Sequence, residues 1–226
     1  MVRIRIWDLP LRLFHWALVS LVVFSAVTGQ FGAGLGLWAA RWHQLSGYAV
    51  LSLLGFRLAW GFVGSSHARF ASFVRGPRAV LDYLAELTGR RPAGVHLGHN
   101  PLGGWSVAAL LACLAVQAGT GLFIADEDLG VEGPLARFVG SATGDSLRGL
   151  HALNFFVLLA LIATHLAAIA YYLFARGENL VRPMLTGVKQ VPSALKDAAA
   201  RGGHPLLGLT VLAASVGAMW YLANRI

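Results

Sequence analysis

Five apolar runs, each long enough to cross a bilayer, restrict what this chain can become more than any other feature. They fall at about residues 11–30, 43–63, 104–125, 149–175 and 205–224. A hydrocarbon core of about 30 Å takes about 20 helical residues to cross. In lipid every backbone N–H and C=O must be satisfied internally, so runs of this length are expected to be helices. The composition agrees, with 57% hydrophobic and 12% charged residues, whereas soluble domains carry about 25% charged residues. Little chain is left over, so the sequence predicts one all-α integral membrane bundle and not an anchor on a soluble domain. Arg3 and Arg5 precede the first run as they would in a signal peptide. Trp7, Asp8 and Pro10 interrupt that start, and no small-residue cleavage site follows, so the first helix is expected to be retained.

The net charge of +8 does not point to nucleic acid, because the basic residues follow the loops. Arg3, Arg5 and Arg12 precede the first span; Arg69, Arg75, Arg78, Arg90 and Arg91 lie between the second and third. Arg176, Arg182, Lys189, Lys196 and Arg201 lie between the fourth and fifth, bringing one side of the membrane to 13 of the 18 basic residues. By the positive-inside rule that side is cytoplasmic, with the N-terminus inside and the C-terminus outside. The loop between spans three and four holds Asp126, Glu127, Asp128, Glu132 and Asp145, five of the ten acidic residues. Two readings stand: exclusion of basic residues from the outer face, or a docking surface for a basic periplasmic protein.

Pro10 suits a first helical turn, and Gly32, Gly34 and Gly36 break the chain between the first two spans. Residues Pro77 to Leu87 read as an amphipathic helix on the inner leaflet. Cys113 is the sole cysteine, which excludes a disulfide framework and covalent haem attachment through Cys-x-x-Cys-His. It reads as a small buried residue.

Four histidines lie in apolar segments: His15, His43, His151 and His165. An ionisable residue inside a membrane is costly and marks function until another role is found. His15 lies near the inner end of span one, and His43 and His151 lie near the outer ends of spans two and four. His165 follows His151 by fourteen residues, which is nearly the same helix face about 21 Å deeper. Depth therefore pairs His43 with His151 in the outer leaflet and His15 with His165 in the inner leaflet. Opposed imidazoles on separate helices suit a six-coordinate b-type haem. Interhelical hydrogen bonds or a haem-free proton-relay transporter are the competing readings.

Arg57 follows His43 by the same fourteen residues, near the depth of the inner pair. It reads either as a counter-ion for a haem propionate or as a side chain snorkelling to the headgroups. Gly47 and Gly55 either leave room for a macrocycle or mark close helix contacts. On the inner side His67, Arg69, His99 and Asn100 form a candidate quinone or proton-uptake site, with solvated loop residues as the alternative. His96 and His204 read as surface residues.

The stretches Trp7-Asp8-Leu9-Pro10-Leu11-Arg12-Leu13-Phe14-His15-Trp16 and Phe56-Arg57-Leu58-Ala59-Trp60-Gly61-Phe62-Val63-Gly64 resemble the prokaryotic cytochrome b-561-type family. His67-Ala68-Arg69-Phe70, Gly98-His99-Asn100-Pro101-Leu102-Gly103-Gly104-Trp105 and Glu178-Asn179-Leu180-Val181 extend the resemblance, which covers about residues 5–190. That family includes the b-type cytochrome subunits of nickel–iron hydrogenases. The resemblance implies a four-helix di-haem cytochrome b over residues 1–190, with two haem b groups on His15, His43, His151 and His165. It further implies an electron-transfer subunit of an oxidoreductase in the bacterial inner membrane. Such a subunit would pass electrons between the quinone pool (ubiquinone or menaquinone) and a periplasmic c-type cytochrome or hydrogenase-like subunit. A superoxide:quinone oxidoreductase acting alone is a closely related alternative. Residues 191–226, a linker and a fifth transmembrane helix, exceed the four-helix core. That helix is expected to pack outside the bundle, bind a partner subunit or join a homo-oligomer.

Overall fold

The computed structural model of the chain describes residues 1–92 and 94–225. In chain order its elements are β1 (Val2–Arg5), α1 (Leu9–Gln30), α2 (Gly36–Val63), α3 (Phe70–Phe73), α4 (Pro77–Leu87), α5 (Pro101–Gly121), β2 (Ala125–Asp126), β3 (Val131–Glu132), α6 (Ser141–Ala175), α7 (Val181–Thr186), β4 (Val188–Val191) and α8 (Pro205–Arg225). Among the described residues five helices, α1, α2, α5, α6 and α8, are long and apolar enough to cross a membrane. The most buried is α2, with 44% of its apolar window covered against 11–22% for the others. The chain is thus an all-α integral membrane protein, and α4 coincides with the expected surface helix.

Three boundaries differ from the sequence expectation. Helix α2 begins at Gly36, about two turns before residue 43. Gly36 adopts φ +52° after a short 3-10 turn at Gly32–Leu35, a conformation that costs glycine little. Helix α6 begins at Ser141 and runs for 35 residues, well ahead of residue 149. Helix α5 stops at Gly121 and not near 125, because the N–H groups of Leu122 and Phe123 fold back to the carbonyls of Gly119 and Thr120. The chain then enters the hairpin β2–β3, in which Ala125 faces Glu132 and Asp126 faces Val131.

The chain divides into two compact units. One comprises Met1–Leu13, Leu58–Leu110 and Leu161–Leu209, and its most buried charged side chain is Asp8, 1% exposed. The Asp8 carboxyl caps α1 by accepting the Leu11 N–H at 2.8 Å. It also accepts Trp60 Nε1–H, at 3.2 Å to each oxygen, and the Ser65 hydroxyl. Strands β1 and β4 pair antiparallel from Val2 opposite Val191 to Arg5 opposite Val188. The Arg5 guanidinium then donates to Ala200 O and Gly202 O. Much of the expected linker after residue 190 is therefore tied to the N-terminus. Glu178 meets Lys189 Nζ at 2.6 Å, and Asn179 Oδ1 accepts the Arg182 N–H at the start of α7.

The other unit comprises Phe14–Arg57, Leu111–Ala160 and the chain from Thr210 onward. Phe14 and Phe56 pack with ring centroids 5.8 Å apart. A Cβ on Gly55 would lie 3.3 Å from Ser215 Oγ, so Gly55 marks a close contact between α2 and α8 and leaves no room for a macrocycle. In the first unit Gly208 of α8 likewise abuts Pro10 and Trp60. Small residues let α8 approach its neighbours closely, the usual basis of helix association in lipid.

Candidate functional site

In the second unit the structure brings His43 and His151 together. His43 lies about two turns into α2, and its Nδ1 is 2.9 Å from Ser25 O on α1. A carbonyl can only accept, so Nδ1 carries the hydrogen and Nε2 keeps its lone pair. Gly29, one turn after Ser25, forms the seat of the ring: a Cβ there would lie 2.8 Å from His43 Cε1. His151 on α6 places Nδ1 3.0 Å from Thr120 Oγ1 on α5. Beyond Gly121 a Cβ would meet the His151 ring at 3.5 Å, an ordinary contact. The two imidazole centroids are 6.1 Å apart, with planes inclined by 79°. Gly47, one turn after His43, faces open space, since nothing lies within 4 Å of the position its Cβ would occupy.

Next to this pair lies a buried polar cluster. Asn154 donates from Nδ2 to Gln117 Oε1 at 2.7 Å and to Cys113 O at 3.0 Å. The Cys113 thiol approaches Asn154 Oδ1 at 3.3 Å. Cys113 is thus buried, as expected, but engaged with a polar partner.

Of the other membrane histidines, half-buried His15 sits in the second unit, edge-on to Trp16 with centroids 5.0 Å apart. His165 is half-buried on α6 and belongs to the first unit. Arg57 is 2% exposed, which rules out the snorkelling reading, because a snorkelled guanidinium would reach the surface.

The inner candidates separate. His67, His96 and His99, with Arg75, line a cavity of about 240 Å³ in the first unit. The His99 ring is flanked by Trp7 and Phe73, with centroids at 4.9 and 4.8 Å. His67 Nε2 lies 3.1 Å from Ala198 O; burial lowers its pKa, and that hydrogen bond opposes the shift less strongly. His96 joins the cavity wall instead of standing as a plain surface residue, with Nε2 3.3 Å from Glu86. Arg69 does not line the cavity: its Nε donates to Gly64 O at 3.0 Å, capping the end of α2. Asn100 accepts the Gly103 N–H at 2.7 Å, capping α5, and donates to Tyr172 OH at 2.9 Å.

Sequence reasoning missed Ser25, Gly29, Thr120, Gln117 and Asn154. A signal existed for Gly29, which follows His15 by the same fourteen residues that separate His151 from His165. Another was the spacing of Gln117 with Thr120 and of His151 with Asn154, each three residues apart on one helix face.

Five apolar helices, with the His43 and His151 rings 6.1 Å apart among them, make this a multi-pass membrane protein with paired imidazoles in its interior. The prokaryotic cytochrome b561 family matches residues 6–187, and the chain belongs to that family, whose members carry electrons in membranes by means of haem b. It is 26% identical over 214 residues to a probable Ni/Fe-hydrogenase B-type cytochrome subunit of Azotobacter vinelandii, covering 81% of this chain and 87% of that protein. Proteins of the same description from Azotobacter chroococcum mcd 1 and Rhizobium leguminosarum bv. viciae are 25% and 26% identical, with the same coverage of each chain. No solved structure matches.

The donor set suits haem. Among the described residues no group of three or more His, Cys, Asp or Glu is placed to hold a bare metal ion. Haem iron asks for only two axial donors, since the macrocycle supplies the rest. With metal–imidazole bonds of about 2 Å and roughly 1 Å from each nitrogen to its ring centre, two axial imidazoles stand about 6 Å apart. The 6.1 Å separation of His43 and His151 fits that requirement.

Proposed function

We propose that this chain is a di-haem b-type cytochrome passing electrons between a periplasmic redox protein and the quinone pool of the bacterial inner membrane. The geometry of His43 and His151 supports it most: two imidazoles at axial spacing, each with Nδ1 hydrogen-bonded and Nε2 left to ligate. These residues would hold the outer haem, and His15 with His165 the inner one. Bound haem supplies one-electron chemistry; the chain supplies ligation, a low-dielectric setting and charge. Burial of Arg57 at 2% exposure favours its reading as counter-ion to a propionate of the inner haem. The basic loops favour a cytoplasmic N-terminus and a periplasmic C-terminus.

The cavity bearing His67 and His99 would receive the quinone head-group or deliver its protons, with Arg69 and Asn100 shaping its surroundings through the helix caps they make. The acidic loop around β2–β3 would face the periplasmic partner. The description of the relatives as hydrogenase cytochrome subunits favours a hydrogenase-like subunit there.

The deciding experiment is a visible spectrum of the purified protein with haem quantification. A reduced b-type α-band and about two haems per chain are expected for two bis-imidazole sites. One haem per chain would overturn the di-haem reading, and none would favour a haem-free relay. A second expectation comes from the ring seat at Gly29. Gly29→Ala places a methyl group 2.8 Å from His43 Cε1, so the ring must shift. Haem retention at the outer site is expected to weaken about tenfold, as for other losses of ligand support. A competition assay with apomyoglobin measures it, and unchanged retention would refute the seat.

A further inference from the structure

We propose that Thr120 is the positioning residue that orients His151 and thereby lowers the reduction potential of the outer haem. The inference rests on the reading of His151 as an axial ligand. Thr120 Oγ1 stands 3.0 Å from His151 Nδ1. The hydroxyl hydrogen has carbonyl acceptors on its own helix, Val116 O at 2.8 Å and Gln117 O at 2.9 Å. With that hydrogen given to the α5 backbone, the oxygen presents a lone pair to the ring, and the imidazole is the donor. His151 is thereby held as the Nδ1–H tautomer, the neutral form that ligates through Nε2.

The two outer histidines are held differently. His43 Nδ1 lies closest to a backbone carbonyl, Ser25 O at 2.9 Å, which no side-chain substitution removes, with Ser25 Oγ at 3.3 Å. The Thr120 hydroxyl can be deleted, so mutation can loosen His151, which the Gln117 backbone also supports, and leave His43 as it is. Asn154 secures the register that makes the contact. It lies one turn after His151 on α6, and it bonds Gln117 and Cys113, one and two turns before Thr120 on α5. Sliding α5 past α6 would break both of those bonds and separate Thr120 from the ring.

An acceptor at Nδ1–H draws the proton outward and strengthens Nε2 as a donor. A stronger donor favours the oxidised iron, so the Thr120 hydroxyl depresses the potential. Thr120→Val keeps the side chain's shape and removes the acceptor.

The test is a redox titration of the full-length, haem-loaded protein, followed at the α-band and by low-spin EPR. Thr120→Val is expected to retain both haems and to raise one potential, through about a tenfold change in the oxidised-to-reduced preference, or about 59 mV for one electron. The shifted step should be the one missing from His151→Leu. Thr120→Ser, which restores the hydroxyl, should return the potential toward wild type. Thr120→Ala deletes the same hydroxyl with less bulk and should reproduce the shift, so a folding defect in the valine variant does not hide the answer. Wild-type potentials in both Thr120→Val and Thr120→Ala, with a haem lost from His151→Leu, would overturn the proposal and leave the ligand reading intact. Retention of both haems by His151→Leu would remove that reading, and this proposal with it.

Discussion

His43→Leu is expected to yield a protein that folds in the membrane and carries about half the wild-type haem, because one of two bis-imidazole sites loses an axial ligand. His151→Leu should lose the same spectral component, although the two residues lie on different helices, α2 and α6. The double variant should lose no more haem than either single one, since both substitutions act on one site and their effects cannot add. His15→Leu and His165→Leu should each remove the other component. Haem content per chain and the split of the reduced α-band measure all of this. The pairing is wrong if His43→Leu and His151→Leu remove different components, or if both keep the full complement. The 6.1 Å ring separation sets the expectation, because a haem held by one imidazole would not need a second at axial distance.

That pair could be read from depth alone, and the reason is physical. Helix rise converts residue number into depth, and successive spans alternate in direction, so His43 and His151 fall at one level without any side-chain coordinates. What depth cannot show is which atom of each ring is engaged. Ser25 offers its backbone carbonyl to His43, a group every residue carries, so nothing in the sequence marks it. Thr120 resembles any threonine in a membrane helix, bonded back to its own carbonyls. Its second role appears only once α6 is laid beside α5. Gly55 was ambiguous for a related reason, since glycine serves both cofactor clearance and helix contact, and Ser215 decides it. The ribbon of β1 with β4 stayed hidden because four-residue strands at opposite ends of the chain carry too little periodicity to announce their pairing. Arg69 and Asn100 were drawn into a candidate site by their neighbours, yet both spend hydrogen bonds on helix ends.

The largest stability effect should come from a residue the sequence presents only as an interruption before the first span. Asp8→Ala removes an acceptor that serves the Leu11 N–H, the Trp60 indole and the Ser65 hydroxyl at once, in a spot where Asp8 is 1% exposed and Trp60 and Ser65 are 0% exposed. Each buried donor deprived of its acceptor costs about 1–3 kcal/mol, and helix capping alone accounts for about 1 kcal/mol. A combined loss of about 3 kcal/mol or more follows. At about 2–4 °C per kcal/mol for a chain of this size, the midpoint should fall by roughly 10 °C. Space around the carboxyl is already tight: a Cβ on Gly203, which adopts φ +73°, would lie 2.7 Å from Asp8 Cβ. A larger side chain at position 8 therefore cannot fill the gap, and water has little room to enter. Asp8→Asn keeps one acceptor oxygen and should lose less than half as much as alanine. Ser65→Ala deletes a single donor and should cost about 1 kcal/mol. Thermal unfolding of the detergent-solubilised protein ranks the three variants. If Asp8→Ala melts within about 2 °C of wild type, the carboxyl is not the group that joins α1 to the end of α2.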